Sequence, residues 1–428
     1  MKALELLKAS REHPLIQFLA NSKGNSKTLL LLEPLWGIPY SLIAPFATLY
    51  MYRQGVTDVQ IGLILSISMA VQVFFCFSGG IISDKLGRKT TTMMGDFFGW
   101  SAACFIWAIS NNFWLFLAAV LMNSFEQINQ TAWHCLLIED APAKDMLGIY
   151  TWVNIGGLVA VFFAPVSGVL IDSFSLVPVI RVLYLVFSIN MLIKCFITYR
   201  YTTETKQGMI RMAQTKSVPV RKMIYEYKSL VSQIFKNRAT MRMMAIIVML
   251  HVASIINGSF FGLYVTMRLG LAERYLAVFP ILNAAVMLVF MFAIQHRLER
   301  VRLKFPMWAG LVIYAACQVM LILIPTGRIL PVVAYIFLGA VANALVMPRR
   351  DALLALSIDP QERARIMSLM NALMVAFSSP FGYFAGFLSS IDRRLPFVFT
   401  CSLFLLAAVI ALGIRENRRA VADTDAAG

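Results

Sequence analysis

Gly80-Ile81-Ile82-Ser83-Asp84-Lys85-Leu86-Gly87-Arg88-Lys89 is the stretch on which the reading of the fold turns. It joins two long apolar runs, 59–83 and 91–110, and changes abruptly from aliphatic to charged. Gly80 reads as a point of close helix approach and Gly87 as the pivot of a sharp turn. Asp84 is placed to pair with nearby cations or to cap a neighbouring helix N-terminus. Arg88 and Lys89 suit the anionic inner face of a membrane. A tight charged turn between apolar runs of ~20 residues is the pattern of a chain that crosses a bilayer and turns back.

The remainder of the 428 residues agrees, with 59% hydrophobic, 14% charged and a mean hydropathy of +0.72. A soluble domain carries about 25% charged residues. Ordinary soluble enzymes, disordered chains and disulfide scaffolds are therefore excluded. The six cysteines, Cys76, Cys104, Cys135, Cys195, Cys317 and Cys401, all lie in apolar runs without a CxxC or Cys/His cluster. They read as small apolar residues, with no disulfide framework and no metal site. Residues 1–27 are basic but lack an apolar signal core and a cleavage site, so no signal peptide is read there.

Twelve helical spans are predicted at 28–51, 59–83, 91–110, 113–138, 148–171, 176–199, 240–266, 274–294, 305–325, 329–348, 365–389 and 395–414. The fold class is thus all-α integral membrane, with twelve transmembrane helices in two six-helix pseudo-symmetric bundles. The segments are a cytoplasmic N-terminal stretch 1–27, a bundle 28–199, a basic linker 200–239, a second bundle 240–414 and a tail 415–428. Basic residues orient it. Only Arg53, Arg268, Arg274, Arg328, Arg393 and Arg394 fall on one side, against 30 on the other. The rich side is cytoplasmic, which puts both termini inside. The net charge of +16 has the same origin and does not point to nucleic acid.

An offset of 215 residues superimposes punctuating positions of the two halves. Gly55 falls on Gly270, Asp58 on Glu273, Asp84 on Glu299, Lys85 on Arg300, Lys89 on Lys304 and Pro165 on Pro380. Charged, proline and glycine matches at one offset indicate an internal repeat, as transporters carry. Within the linker, 219–236 reads as a basic amphipathic helix on the membrane surface. The tail after Arg415 reads as disordered, and the sequons at Asn129 and Asn257 lie inside helices and have no glycosylation meaning.

The 80–89 turn resembles the G-x-x-x-D-[RK]-x-G-[RK]-[RK] signature of the major facilitator superfamily, in residues and in position between the second and third helices. With the span count and the repeat, the resemblance covers about residues 28–415. It implies a permease like the drug/proton antiporters, with two bundles rocking around a midplane site. It also implies that Gly80, Asp84, Lys85, Gly87, Arg88 and Lys89 latch one conformation rather than bind substrate. The family's antiporter signature G-x-x-x-G-P-x-x-G is met only in part, as Ala160, Ala164, Pro165 and Gly168. The arginine those antiporters carry in helix four is missing from Leu121-Met122-Asn123-Ser124-Phe125-Glu126.

Polar residues inside apolar helices mark the candidate site. Asn123, Glu126, Gln127, Gln130 and His134 fall within an arc of about 100° on helix four. Such a stripe cannot face acyl chains, because an ionisable group at the bilayer centre costs ~2.5–3.5 kcal/mol or more. Helix one adds Glu33, Trp36 and Tyr40 on one face, with Pro34, Pro39 and Pro45 predicting a bend. Glu33 and His134 are both read on the cytoplasmic halves of their helices, so they can pair. The repeat puts His251 where Trp36 stands, followed by Asn257, Phe261 and Tyr264, while helix ten offers Tyr335, Gly339 and Asn343.

Proton coupling is assigned to Glu126, Glu33, His134 and His251, in that order. Glu126 leads because a neutral acid is tolerable in the membrane interior where an unpaired carboxylate is costly. The sequence therefore reads as a secondary transporter of a small organic molecule in the cytoplasmic membrane, proton-coupled, working in efflux and monomeric. Its partners are that substrate, protons and the lipid bilayer, with no nucleic acid. Uptake of a metabolite such as a sugar or organic acid is the alternative, and a non-transporting receptor with a transporter fold is the alternative from another class. No GxxxxGK[ST] loop and no nucleophile–base or metal constellation occurs, so neither enzyme chemistry nor a cofactor is read.

Overall fold

The structure, a computed structural model, describes residues 18–19, 21–142, 145–216, 238–294, 303–356 and 363–413. The amphipathic helix expected at 219–236, the positions Glu299 and Arg300 of the repeat, and the tail after Arg415 lie outside these residues. Among the described residues the secondary structure is helical, with no strand. Nine helical runs among them are long and apolar enough to cross a membrane, and Tyr275–Phe290 is a shorter apolar helix.

Local sequence explains where the helices start and break. α1 (Gly24–Ile43) gives way to a single 3₁₀ turn at Ala44–Phe46 and resumes as α2 (Ala47–Arg53), so the expected bend falls at Pro45. α3 (Asp58–Leu86) carries the first half of the 80–89 turn, and α4 (Arg88–Gly95) begins directly after Gly87. α4 runs into a π turn at Asp96–Ala102 and then α5 (Ala103–Ile109). α6 (Phe113–Asn123) is capped by Asn112, whose side chain accepts from Trp114 N at 3.0 Å and Leu115 N at 3.1 Å.

The expected continuous span 113–138 is interrupted. Phe125 N donates to Met122 O at 3.1 Å, and Gln127 N to Ser124 O at 3.2 Å, a tightened turn before α7 (Glu126–Ile138). α8 (Met146–Val161) and α9 (Ala164–Phe174) are likewise separated just before Pro165. α10 (Leu176–Tyr201) and a short α11 (Lys206–Thr215) follow. The later helices are α12 (Arg238–Leu263) with a π turn at Tyr264–Arg268, α13 (Tyr275–Ala293), α14 (Lys304–Leu323), α15 (Ile329–Leu356), α16 (Arg363–Ile391) and α17 (Leu395–Leu412).

The chain divides into two compact units. One comprises Met1–Ala44, Phe74–Ser167 and Val177–Val220, the other Pro45–Val73, Gly168–Leu176 and Arg221–Gly428. In the first, Leu29, Leu30, Leu136, Leu137 and Ile149 form a buried core. Phe196, Leu323, Leu330 and Val409 are large apolar side chains at least 65% exposed on long helices, a surface made for acyl chains rather than water.

The second unit is stitched at one end by glycines and ion pairs. A Cβ on Gly62 would come within 2.5 Å of Gly382 O and 2.9 Å of Gly386 Cα, so only glycine lets α3 and α16 approach this closely. Asp58 accepts from Ser389 Oγ at 2.6 Å and pairs with Arg393 at 3.4 Å. Elsewhere in this unit, Gly168 packs against Ala277, and Arg274 pairs with Asp172 at 3.0 Å. Arg53 adds a pair with Glu273 at 2.6 Å. The 215-residue offset carries Asp58 to Glu273 and Gly62 to Ala277.

Candidate functional site

A cavity of about 150 Å³ lies in the first unit, lined by Glu33, Trp36, Asp96, Trp100, Glu126, Asn129, Gln130, Trp133, His134 and Lys194. Its floor is an ion pair. Lys194 on α10 is 3% exposed and Asp96 on the π turn 1%, with 3.2 Å between Nζ and a carboxylate oxygen. Asn129, 6% exposed, donates to the other Asp96 oxygen at 2.6 Å. The Asn129 Oδ1 atom and the Trp133 indole N–H are buried and have no hydrogen-bond partner among the described residues. Glu33 and Glu126 are half-buried, and no hydrogen bond to either is found among the described residues. Asp96 and Lys194 act electrostatically on both of them.

Aromatic rings line one side. Trp36 stacks on Tyr40 with ring centroids 5.0 Å apart, and Trp100 meets the two rings edge-on at 5.5 and 5.8 Å. Trp133 stands edge-on to His134 at 5.1 Å.

Two glycines one helical turn apart position this constellation. A Cβ on Gly99 would lie 2.9 Å from Glu126 N, and one on Gly95 would collide with the Asn129 side chain. The Gly95-Asp96-Phe97-Phe98-Gly99 stretch therefore lets the π turn press directly against the first turn of α7. That contact fixes Asp96, Trp100, Glu126 and Asn129 around one space. The π turn rotates Asp96 and Trp100 relative to a regular helix, a device common at functional sites.

The 80–89 turn forms a second, purely polar cluster in the same unit. Gly87 has φ of +88°, a conformation that disfavours any side chain, and the Glu204 carboxylate occupies the place a Cβ would take. Glu204 accepts from Arg88 N at 2.9 Å and Lys89 N at 3.0 Å, capping α4. Asp84 pairs with Arg88 at 2.7 Å and Arg211 at 3.0 Å, and Arg88 reaches Glu139 at 3.3 Å. Thr205 Oγ1 donates to Glu139 at 2.5 Å, and Lys89 Nζ to Thr202 O at 2.8 Å. Two expectations are corrected here. Arg88, expected at the lipid face, is 6% exposed, because Asp84 and Glu139 converge on its guanidinium. Gly80, expected at a close helix approach, faces open space, while its neighbour Gly79 lies against Ile128. Gly87→Ala adds a Cβ where both φ and Glu204 forbid it. A loss of about 1–3 kcal/mol, read by thermal unfolding in detergent, is expected.

The family model described as Major Facilitator Superfamily matches residues 35–382, most of the chain. The chain belongs to the Major Facilitator Superfamily. This superfamily groups transporters rather than enzymes, in keeping with the sequence. The chain is 32% identical over 139 residues to an uncharacterized MFS-type transporter, YqjV, of Bacillus subtilis (strain 168), covering 31% of this chain and 33% of that one. It is 27% identical over 187 residues to the multidrug resistance protein MdtG of Enterobacter lignolyticus (strain SCF1), covering 41% and 44%. The matches therefore span less than half of these relatives. The fold resembles that of the nucleoside transporter NupG, with a TM-score of 0.69 at 16% identity over 92% of this chain and 99% of that one. It also resembles a POT family transporter solved with 5-aminolevulinic acid, with a TM-score of 0.67 at 14% identity over 90% and 94%.

Against the residues singled out from sequence, this superfamily member gathers Glu33, Trp36, Glu126, Gln130 and His134 around this cavity. Tyr40 joins through its ring contact with Trp36. Asn123 instead braces the π turn, donating to Gly99 O at 2.5 Å and accepting from the Trp107 indole at 3.0 Å. Gln127 accepts from the Cys76 thiol at 3.4 Å. Ala160 packs on Gly37 and accepts from Ser41 Oγ at 2.6 Å, and Ala164 accepts from Ser167 Oγ at 2.6 Å. Gly168 belongs to the second unit's seam.

His251, Asn257 and Asn343 lie in the second unit. There Asn257 accepts from Tyr335 OH at 3.1 Å and Gln318 at 3.4 Å, and Phe261 stacks on Tyr335 at 5.5 Å. Asn343 contacts Met287 Sδ at 3.5 Å. Tyr264, expected beside Asn257, is buried against Phe397 and donates to Leu321 O at 3.1 Å. Sequence reasoning missed Asp96, Lys194, Trp100, Asn129 and Trp133.

Proposed function

We propose that the chain is a secondary transporter that exchanges protons for a small organic molecule by alternating access. Twelve helices cross the cytoplasmic membrane in two six-helix halves with both termini inside, and the direction is efflux. The observation that carries this reading is the charge count of the cavity. Glu33 and Glu126 share it with a single lysine that Asp96 already holds. Two uncompensated carboxylates together are costly in a low-dielectric interior, so the pair requires a proton or a cationic ligand. Glu126, at the first turn of α7, is the proton carrier, with Glu33, His134 and then His251 behind it. The partial likeness to a multidrug resistance protein favours efflux. The 80–89 turn serves as a conformational latch, because its polar cluster joins α3, α4 and α11 and contributes nothing to the cavity lining.

Two experiments bear on this arrangement. Asp84→Asn removes the charge shared by Arg88 and Arg211. Transport should fall about tenfold or more, since a lost charge-assisted bond changes a two-state balance by ~1.5–3 kcal/mol. Ligand affinity should stay within about twofold, measured by titration on the purified protein. Wild-type transport by the variant would remove the latch. Single cysteines at 54 or 328 should react with an impermeant maleimide on intact cells, and one at 210 only after permeabilisation. Labelling of 210 on intact cells would invert the topology.

A further inference from the structure

Taking the first-unit cavity as the transport site, we infer that it selects an organic monocation, a protonated amine on a flat ring, with Glu33 as its counter-charge. Three independent features of the lining converge on this chemistry. First, the unclaimed charge is negative. The one lysine is spent on Asp96, and Glu33 and Glu126 stand without hydrogen-bond partners among the described residues. An anionic ligand would meet two carboxylates, with His134 the one titratable base of the lining not held in an ion pair among the described residues.

Second, apart from the buried Trp133 indole N–H, the unpartnered hydrogen-bonding capacity of the lining among the described residues is that of acceptors. Besides the two carboxylates, Asn129 presents a buried, unpartnered Oδ1, which calls for an N–H or O–H donor on whatever fills the space. An ammonium supplies up to three such donors. Third, Glu33 is followed one helical turn later by Trp36, and Trp36, Tyr40 and Trp100 form one connected set of rings. A carboxylate beside aromatic faces is a receptor for a cation attached to a ring, held by charge, by cation–π attraction and by stacking. The space beside these groups, about 150 Å³, has room for one aromatic ring, since a pocket of about that volume takes up benzene.

Glu33 and Glu126 thereby divide the work. Glu33 holds the cation against the rings, while Glu126 accepts the proton that replaces it. The exchange is one positive charge for another, so the cavity never stands with both carboxylates uncompensated.

The test uses full-length protein in lipid nanodiscs and three probes of one shape: benzylammonium, benzyl alcohol and benzoate. Benzylammonium should bind saturably and raise the melting temperature, with the neutral and anionic probes at least tenfold weaker. Glu33→Gln should weaken benzylammonium by at least tenfold, and Glu33→Asp should keep its affinity within about threefold. Equal or tighter binding of benzoate or benzyl alcohol, no binding of any probe, or undiminished binding by Glu33→Gln would each overturn the inference. Should Glu33→Gln fail to fold, the wild-type probe series decides alone. Failure of the transport reading is distinguishable: cation-selective binding without any flux in liposomes would sink the carrier and leave the selectivity standing. Gradient-driven flux of an acid, without cation preference, would do the reverse.

Discussion

Glu126→Gln should abolish proton-driven accumulation while leaving ligand binding intact. A pH gradient of one unit is worth about 1.4 kcal/mol per proton, so a carrier exchanging one proton for one monocation sustains an accumulation ratio of about ten. In proteoliposomes, read with the permanently charged benzyltrimethylammonium because neutral benzylamine crosses lipid unaided, the variant should bring that ratio to about one. The glutamine keeps the size and the hydrogen-bonding capacity of the side chain, and Gly99 still packs against its backbone, so the first turn of α7 should survive. Binding of benzylammonium should remain within about threefold, because Glu33 and the Trp36 and Trp100 rings are untouched. A structural role for Glu126 predicts the opposite, near-normal uphill transport by a variant that retains an amide at the same place. That result would move the proton to Glu33 or His134.

Lys194→Met should be the most destabilising single change in the first unit. It leaves Asp96 buried at 1% exposure without a counter-ion, a defect that costs about 3–5 kcal/mol when one partner of a buried pair is removed. The double variant Lys194→Met with Asp96→Asn should recover most of the loss, because replacing both partners leaves no buried charge and Asn129 still has an amide to bond. Thermal unfolding of the purified proteins in one detergent measures both. A single variant that melts like wild type would mean that the pair is not a structural anchor of the cavity, and that Lys194 is free to meet a ligand.

How much of this is legible in the sequence depends on distance along the chain. The 80–89 turn carries its meaning locally, and Gly87 takes the strained φ that a glycine there suggests. The prolines of helix one announce its break for the same reason, since Pro45 acts on its own turn. Glu33, Trp36, Glu126, Gln130 and His134 stand out because an ionisable, polar or large aromatic side chain inside an apolar run is conspicuous by itself. Lys194 is as conspicuous, yet its partner is 98 residues away on a π turn, and nothing local says which way either points. No arginine stands on helix four, and the lysine of the cavity lining, Lys194, comes from α10.

Asn129 reads in sequence as a sequon inside a helix, although it is one of the most buried polar groups of the site. Gly95 and Gly99, one turn apart around Asp96, are the signal that leads to it, because small residues at that spacing mark where another helix comes close. The error at Gly80 is of another kind. Adjacent residues on a helix point about 100° apart, so an assignment off by one residue turns a contact into open space. The interruption at Ser124–Phe125 has no proline or glycine to announce it; there Ser124 Oγ donates back to Val120 O at 3.1 Å, a bond that bends helices, and α7 packs on the π turn through Gly99.

The most direct measurement of the central claim is simultaneous proton and benzylammonium flux by the full-length protein in liposomes under an imposed pH gradient. Coupled exchange predicts saturable cation movement against its gradient in excess of the passive amine movement of empty liposomes, matched by protons moving the other way and lost in Glu126→Gln. Benzylammonium flux indifferent to the pH gradient, or no flux above that of empty liposomes despite saturable binding, would contradict it.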